Sequence, residues 1–111
     1  MDLVNALSAK IEELSVSIRQ LRKTGNALAE AERDYKIILR QEALKLRTTE
    51  GLPVTLIQQV VYGVKEVAEA RYKRDIAEAM YQANQEHINA TKLQIRIIES
   101  QLGREYGQAK Y

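Results

Sequence analysis

Apolar residues recur along the first third of the chain at alternating steps of three and four: Val4, Leu7, Ile11, Leu14, Ile18, Leu21 and Leu28, with Gly25 in one slot. That period is helical. In heptad terms it puts β-branched residues at a and leucine at d, the seam of a coiled coil. Asp2 stands where an N-cap satisfies free amides and complements the helix dipole. The stripe continues through Ala31, Tyr35, Leu39 and Leu46, with Glu32 and Glu42 intruding. A second long stripe comprises Val67, Ala70, Ala77, Tyr81, Ile88, Thr91, Ile95, Ile98 and Leu102, softened by Arg74 and Asn84.

The punctuation between the stripes lies at residues 48–55. Gly51 suits the position just past a helix, and Pro53 disfavours helix at the residue before it. Thr55-Leu56-Ile57-Gln58 has the spacing of a capping box, so a new helix is expected near Leu56. Gly63 is expected to end a short helical turn. The pattern predicts one all-α domain, a long antiparallel, coiled-coil-like helical hairpin. Its first arm covers about 2–50, its turn 51–55 and its second arm about 56–106. Lys23-Thr24-Gly25-Asn26 leaves two alternatives open. The first helix either tolerates Gly25 or breaks there, with Asn26 capping a third helix.

Each arm also carries a second apolar face. At 100° per residue, Ile37 and Leu44 point away from Leu39 and Leu46, and Leu93 and Ile97 point away from Ile95. Arms of forty or more residues reach about 60–70 Å, and two of them folded back together bury only one seam. The other face needs a third helix or a second chain. A homo-oligomer, with a dimer favoured, is therefore expected to complete a bundle through Ile37, Leu44, Leu93 and Ile97.

Composition narrows the chemistry. The 111 residues are 29% charged and 45% hydrophobic, without Trp, Phe or Cys, which suits long helices and excludes disulfides and thiolate chemistry. His87 is the single histidine, and Asn84 stands where a Glu-x-x-His metal motif needs its glutamate. The five glycines form no phosphate loop, and the polar segment Gly103-Arg104-Glu105-Tyr106-Gly107 is expected to fray rather than pack. Glu12, Glu13, Glu66 and Glu69 fall on solvated faces by period, and His87 reads as a solvated or interface side chain. No catalytic, cofactor-binding or metal-binding residue is assigned, so the expectation is a non-enzymatic protein without a cofactor. No stretch approaches the ~18 apolar residues of a membrane span, and Met1-Asp2-Leu3-Val4 lacks the basic start of a signal peptide. The expected compartment is the cytoplasm, with no membrane partner.

One charge cluster stands out. Residues 33–74 hold nine basic and five acidic residues, a balance of +4, against −2 for the remainder. An antiparallel reversal brings Arg33, Lys36 and Arg40 near Arg71, Lys73 and Arg74, with Tyr35, Tyr62 and Tyr72 interleaved. Such an end could hold a phosphate backbone and stack bases. Against this stands a simpler reading of solvated helices decorated by i,i+4 pairs such as Glu32–Lys36, Glu69–Lys73 and Arg71–Asp75. Arg33, Lys36, Arg40, Arg71, Tyr72, Lys73 and Arg74 are the candidate contacts for nucleic acid or another partner.

Several segments taken in order carry a resemblance. They are Ala29-Glu30-Ala31-Glu32-Arg33-Asp34-Tyr35-Lys36, Leu46-Arg47, Gly51-Leu52-Pro53-Val54-Thr55-Leu56-Ile57 and Val67-Ala68-Glu69-Ala70-Arg71-Tyr72-Lys73-Arg74-Asp75-Ile76-Ala77-Glu78-Ala79. Glu86-His87-Ile88-Asn89, Lys92-Leu93 and Gln101-Leu102-Gly103-Arg104-Glu105-Tyr106 complete the set. Together, over roughly residues 25–106, the chain resembles a group of small uncharacterised helical proteins encoded by phages and prophages of Gram-positive bacteria. Tyr106 stands where those proteins often carry Trp. The resemblance implies a phage origin in a bacterial host cell and supplies no catalytic or ligand-binding residue. The expected function is protein–protein interaction, as an assembly factor or an inhibitor of a host system. The alternative is a nucleic-acid-binding accessory of phage DNA metabolism.

Overall fold

The computed structural model describes residues 2–109. Helix α1 spans Leu3–Thr48, α2 Val54–Val60 and α3 Lys65–Ala109, with a 3₁₀ turn over Val61–Gly63 between the last two. No strand occurs among the described residues. Two compact units result. Unit 1 joins Met1–Lys23 to Gln82–Tyr111, and unit 2 is Thr24–Tyr81.

Local chemistry sets the ends of these helices. The Asn5 amide donates to Asp2 Oδ1 at 2.8 Å, the cap expected from sequence. Gly51 ends the α1 turn at φ 66, a left-handed conformation that a side chain would resist. Around it the Leu52 amide reaches back to the Leu46 carbonyl at 3.1 Å. The start of α2 differs from expectation. Pro53 is the N-cap, and its carbonyl accepts from the amides of Leu56 and Ile57 at 3.0 Å each. Thr55 lies inside the helix rather than capping it, because the fixed φ of Pro53 already aims the chain into the first turn. The second arm is thus a short α2, the 3₁₀ turn ending at Gly63 as expected, and α3. The Gly103–Gly107 segment, expected to fray, belongs to α3.

Unit 2 is a helical hairpin whose loop end is filled by α2. Tyr35, Ile57, Val61, Val67 and Ala70 form its buried core, flanked by Ile38, Leu39, Ala43, Leu46, Leu52 and Val64. Glu42, an intruder in the stripe, is tucked in and receives the Lys45 ammonium at 3.4 Å. The question at Gly25 is settled in favour of one helix, since α1 runs through it without interruption. A Cβ built there would sit 3.4 Å from the Tyr81 ring. Gly25 therefore lies at ordinary contact distance from an aromatic side chain and marks no break in the helix.

Unit 1 pairs the start of α1 with the end of α3 in antiparallel sense. On α3 the seam is the one read from sequence: Ile88 and Thr91 are buried, and Asn84, Ile95, Ile98 and Leu102 half-buried. On α1 the seam is rotated from the expected one. Leu7, Leu14 and Leu21 do turn inward, but their neighbours in the seam are Lys10 and the buried Ser17. Val4, Ile11 and Ile18 remain 58%, 52% and 49% exposed. A helix facing one partner buries a single wedge. With that wedge centred between the d and g rows, the a row stands about 90° round the helix. The small Ser17 side chain lets the helices come close, and its carbonyl accepts from Asn84 Nδ2 at 3.1 Å.

Candidate functional site

Unit 2 carries a groove of about 460 Å³ between α1 and the start of α3. Its lining combines the apolar Ala31, Ile37, Ile38 and Ala70 with the charged Glu30, Asp34, Glu66, Glu69 and Lys73. Four carboxylates and one ammonium line the groove, and with Asp34 paired to Arg33 at 3.1 Å the remaining lining is still acidic by charge count. A lining that mixes apolar and acidic side chains suits a peptide segment with apolar anchors and basic flanks. Ile37, expected at an interface, is 48% exposed here. Nothing in sequence period alone places it beside Lys73, because that neighbourhood depends on how α1 and α3 are set against each other.

The seven candidate basic and aromatic contacts do not share one surface. Arg71, Tyr72, Lys73 and Arg74 are consecutive, so they leave α3 in directions 100° apart. Arg74 points into the seam, where its guanidinium lies 4.9 Å from the Tyr35 ring centroid and bonds Asp75 at 2.8 Å. The hydrogen bond to Asp75 holds its pKa above the ordinary arginine value. Arg71 lies 5.8 Å from the Tyr62 ring centroid, which leaves Asp75 to Arg74 rather than to the expected i,i+4 partner. Lys73 belongs to the acidic groove. On α1, Arg33 pairs with Asp34 at 3.1 Å, while Lys36 and Arg40 are exposed. Tyr72 is 66% exposed.

Unit 1 holds a polar layer that sequence reading did not assemble. Glu13 accepts from Lys10 Nζ at 3.0 Å and stands 3.2 Å from His87 Nε2 across the helix pair. The Lys10 hydrogen bond is the main cause that holds the Glu13 carboxyl below its ordinary pKa, with His87 adding to it. So Glu13 is not freely solvated, and His87 is an interface side chain. Thr91 Oγ1 donates to the His87 carbonyl at 2.8 Å. The signal for this layer was present in the polar residues falling on or beside the apolar stripes: Asn84, Thr91 and Ser17. Leu93 and Ile97 are 57% and 50% exposed, and Leu44 of unit 2 is 61% exposed.

Among the described residues no group of three His, Cys, Asp or Glu side chains is gathered closely enough to hold a metal ion. No helix among them is long and apolar enough to cross a membrane. No protein-family model, curated protein or solved structure matches the chain.

Proposed function

We propose that this is a non-enzymatic helical protein that acts through protein–protein interaction, first with a second copy of itself and then with a protein partner. The observation that carries the reading is the set of apolar residues with no cover inside the chain. Ile37, Leu44, Leu93 and Ile97 are 48–61% exposed, and so is much of the Val4, Ile11 and Ile18 row. Large apolar side chains left exposed in helical rows, with no covering element, are the kind of surface that interaction sites use. The acidic groove of unit 2 adds a place for an apolar and basic segment of a partner. With the resemblance to phage and prophage proteins, the role is that of an assembly factor or an inhibitor of a host system, in the cytoplasm of the bacterial host.

Size-exclusion chromatography with light scattering and a 260/280 nm absorbance ratio, at moderate salt, tests it. The expected result is a clean oligomer without excess 260 nm absorbance. A monomer of 12.7 kDa would refute self-association.

A second reading, binding of nucleic acid, rests on the +4 balance of residues 33–74 and on the exposed Tyr72 between Arg71 and Lys73. It requires steeply salt-dependent binding that is lost when Arg71, Lys73 and Arg74 all become alanine. Glu30, Glu66 and Glu69, which line the same groove as Lys73, favour the protein reading, because carboxylates repel phosphate.

A further inference from the structure

Arg33, Lys36, Arg40 and Arg47 share one stripe along the part of α1 that belongs to unit 2. At 100° per residue they and Leu44 fall within an arc of about 80°, and the stripe is about 21 Å long. All five residues are exposed, Leu44 by 61%. The carboxylates between residues 33 and 47 lie outside that arc, Asp34 about 120° and Glu42 about 160° round the helix from Arg40.

The acidic groove of unit 2 is the chemical complement of this stripe. Asp34 is already paired with Arg33, but among the described residues Glu30, Glu66 and Glu69 enter no ion pair, and neither do Lys36 and Arg40. Arg47 donates to the Leu52 carbonyl at 3.3 Å, a neutral acceptor that leaves its charge uncompensated. One surface of the unit therefore holds three carboxylates without a counter-ion, and another holds three such cations. Each also carries an exposed apolar side chain, Ile37 in the groove and Leu44 in the stripe.

We infer that the groove of one copy receives the α1 stripe of a second copy. Leu44 seats beside Ile37 and Ile38, and Lys36, Arg40 and Arg47 meet Glu30, Glu66 and Glu69. This rests on the proposed self-association and names its surfaces. The lengths agree, since the α1 lining of the groove from Glu30 to Ile38 runs about 12 Å and the stripe from Arg40 to Arg47 about 10 Å. Charge sets the pairing. Groove against groove, or stripe against stripe, would bring like charges together, so unlike surfaces meet. A phosphate backbone would cover the stripe and leave the groove open, whereas a second copy covers both.

Pairing of unlike surfaces lets two damaged variants repair each other. In the full chain, Glu66→Lys with Glu69→Lys reverses the groove, and Lys36→Glu with Arg40→Glu reverses the stripe. Each variant alone is expected to self-associate about tenfold or more weakly than wild type, by light scattering over a concentration series, with helicity by circular dichroism retained. An equimolar mixture is expected to recover the wild-type oligomer, because each variant's stripe then meets a groove of opposite charge in the other. Leu44→Gln, at an exposed position, is expected to weaken association without loss of helicity. Wild-type association in both charge variants and in Leu44→Gln would overturn these surfaces while leaving self-association standing. A mixture that associates no better than its parts would overturn the pairing of groove with stripe. Nucleic acid carried by the wild type and lost from Lys36→Glu with Arg40→Glu would assign the stripe to phosphate and overturn the inference. A monomeric wild type would overturn both the surfaces and the reading beneath them.

Discussion

Val67 has no exposed surface and sits among Tyr35, Ile57, Val61 and Ala70 in the core of unit 2. Val67→Ala removes two methyl groups, about 1.6 kcal/mol of transfer free energy at about 0.8 per carbon. If the space left is on the order of 40 Å³, the cavity adds about 1 kcal/mol. Alanine is the better helix former by roughly 0.6 kcal/mol, which offsets part of that within α3. The net expectation is a loss of about 2 kcal/mol. Urea unfolding followed by circular dichroism at 222 nm would read this as a midpoint lower by about 1–2 M, for a slope of 1–2 kcal/mol/M. Val54→Ala, at a position 55% exposed, provides the control and should lose less than about 0.5 kcal/mol. Equal midpoints for wild type and Val67→Ala would refute the packing assigned to the loop end of the hairpin.

Gly25→Ala places a methyl group at ordinary contact distance, 3.4 Å, from the Tyr81 ring and removes a glycine from a helix interior. It should stabilise the chain by about 0.5–1 kcal/mol in the same urea assay, whereas Gly25→Leu should destabilise it. If alanine also destabilises, the approach to Tyr81 is closer than described. Glu13 has a folded pKa below its ordinary value, so its bridge contributes stability above the unfolded carboxylate range and loses it as pH falls through the folded pKa. Glu13→Gln should therefore have a lower midpoint than wild type at neutral pH, and the gap should close on acidification. A gap independent of pH would contradict the Lys10–Glu13–His87 arrangement.

Much of α3 was legible because one partner lies along its inner side within each unit. The seven-residue steps from Val67 to Leu102 picked out that side, including the polar Arg74 and Asn84. On α1 the same rule identified the rows but not their roles. The leucine row is flanked on one side by Val4, Ile11 and Ile18, and on the other by Lys10 and Ser17. Hydrophobicity favours the first flank as the seam. Which flank α3 takes depends on close approach at Ser17 and on the Asn84 hydrogen bond, contacts made across a long sequence separation.

The helix start at Val54 was misplaced for a local reason, since Pro53 outcompeted the Thr55 capping signal. The basic cluster was legible as composition only. Consecutive residues on a helix diverge, and the pairings with Asp34, Asp75, Tyr35 and Tyr62 consume much of what composition put together. The acidic groove mixes residues from α1 and α3, so its charge became visible only once the two helices were set side by side.

That the uncovered apolar rows are built to be covered by another chain is tested most directly by the melting of helicity at two concentrations, 100-fold apart. Dilution by that factor weakens a dimer by about 2.7 kcal/mol. The midpoint should therefore fall by several degrees on going from the concentrated to the dilute sample. A midpoint that stays the same at both concentrations, in a reversible transition, would contradict self-association and leave Val4, Ile11 and Ile18 as exposed surface without a partner of their own kind.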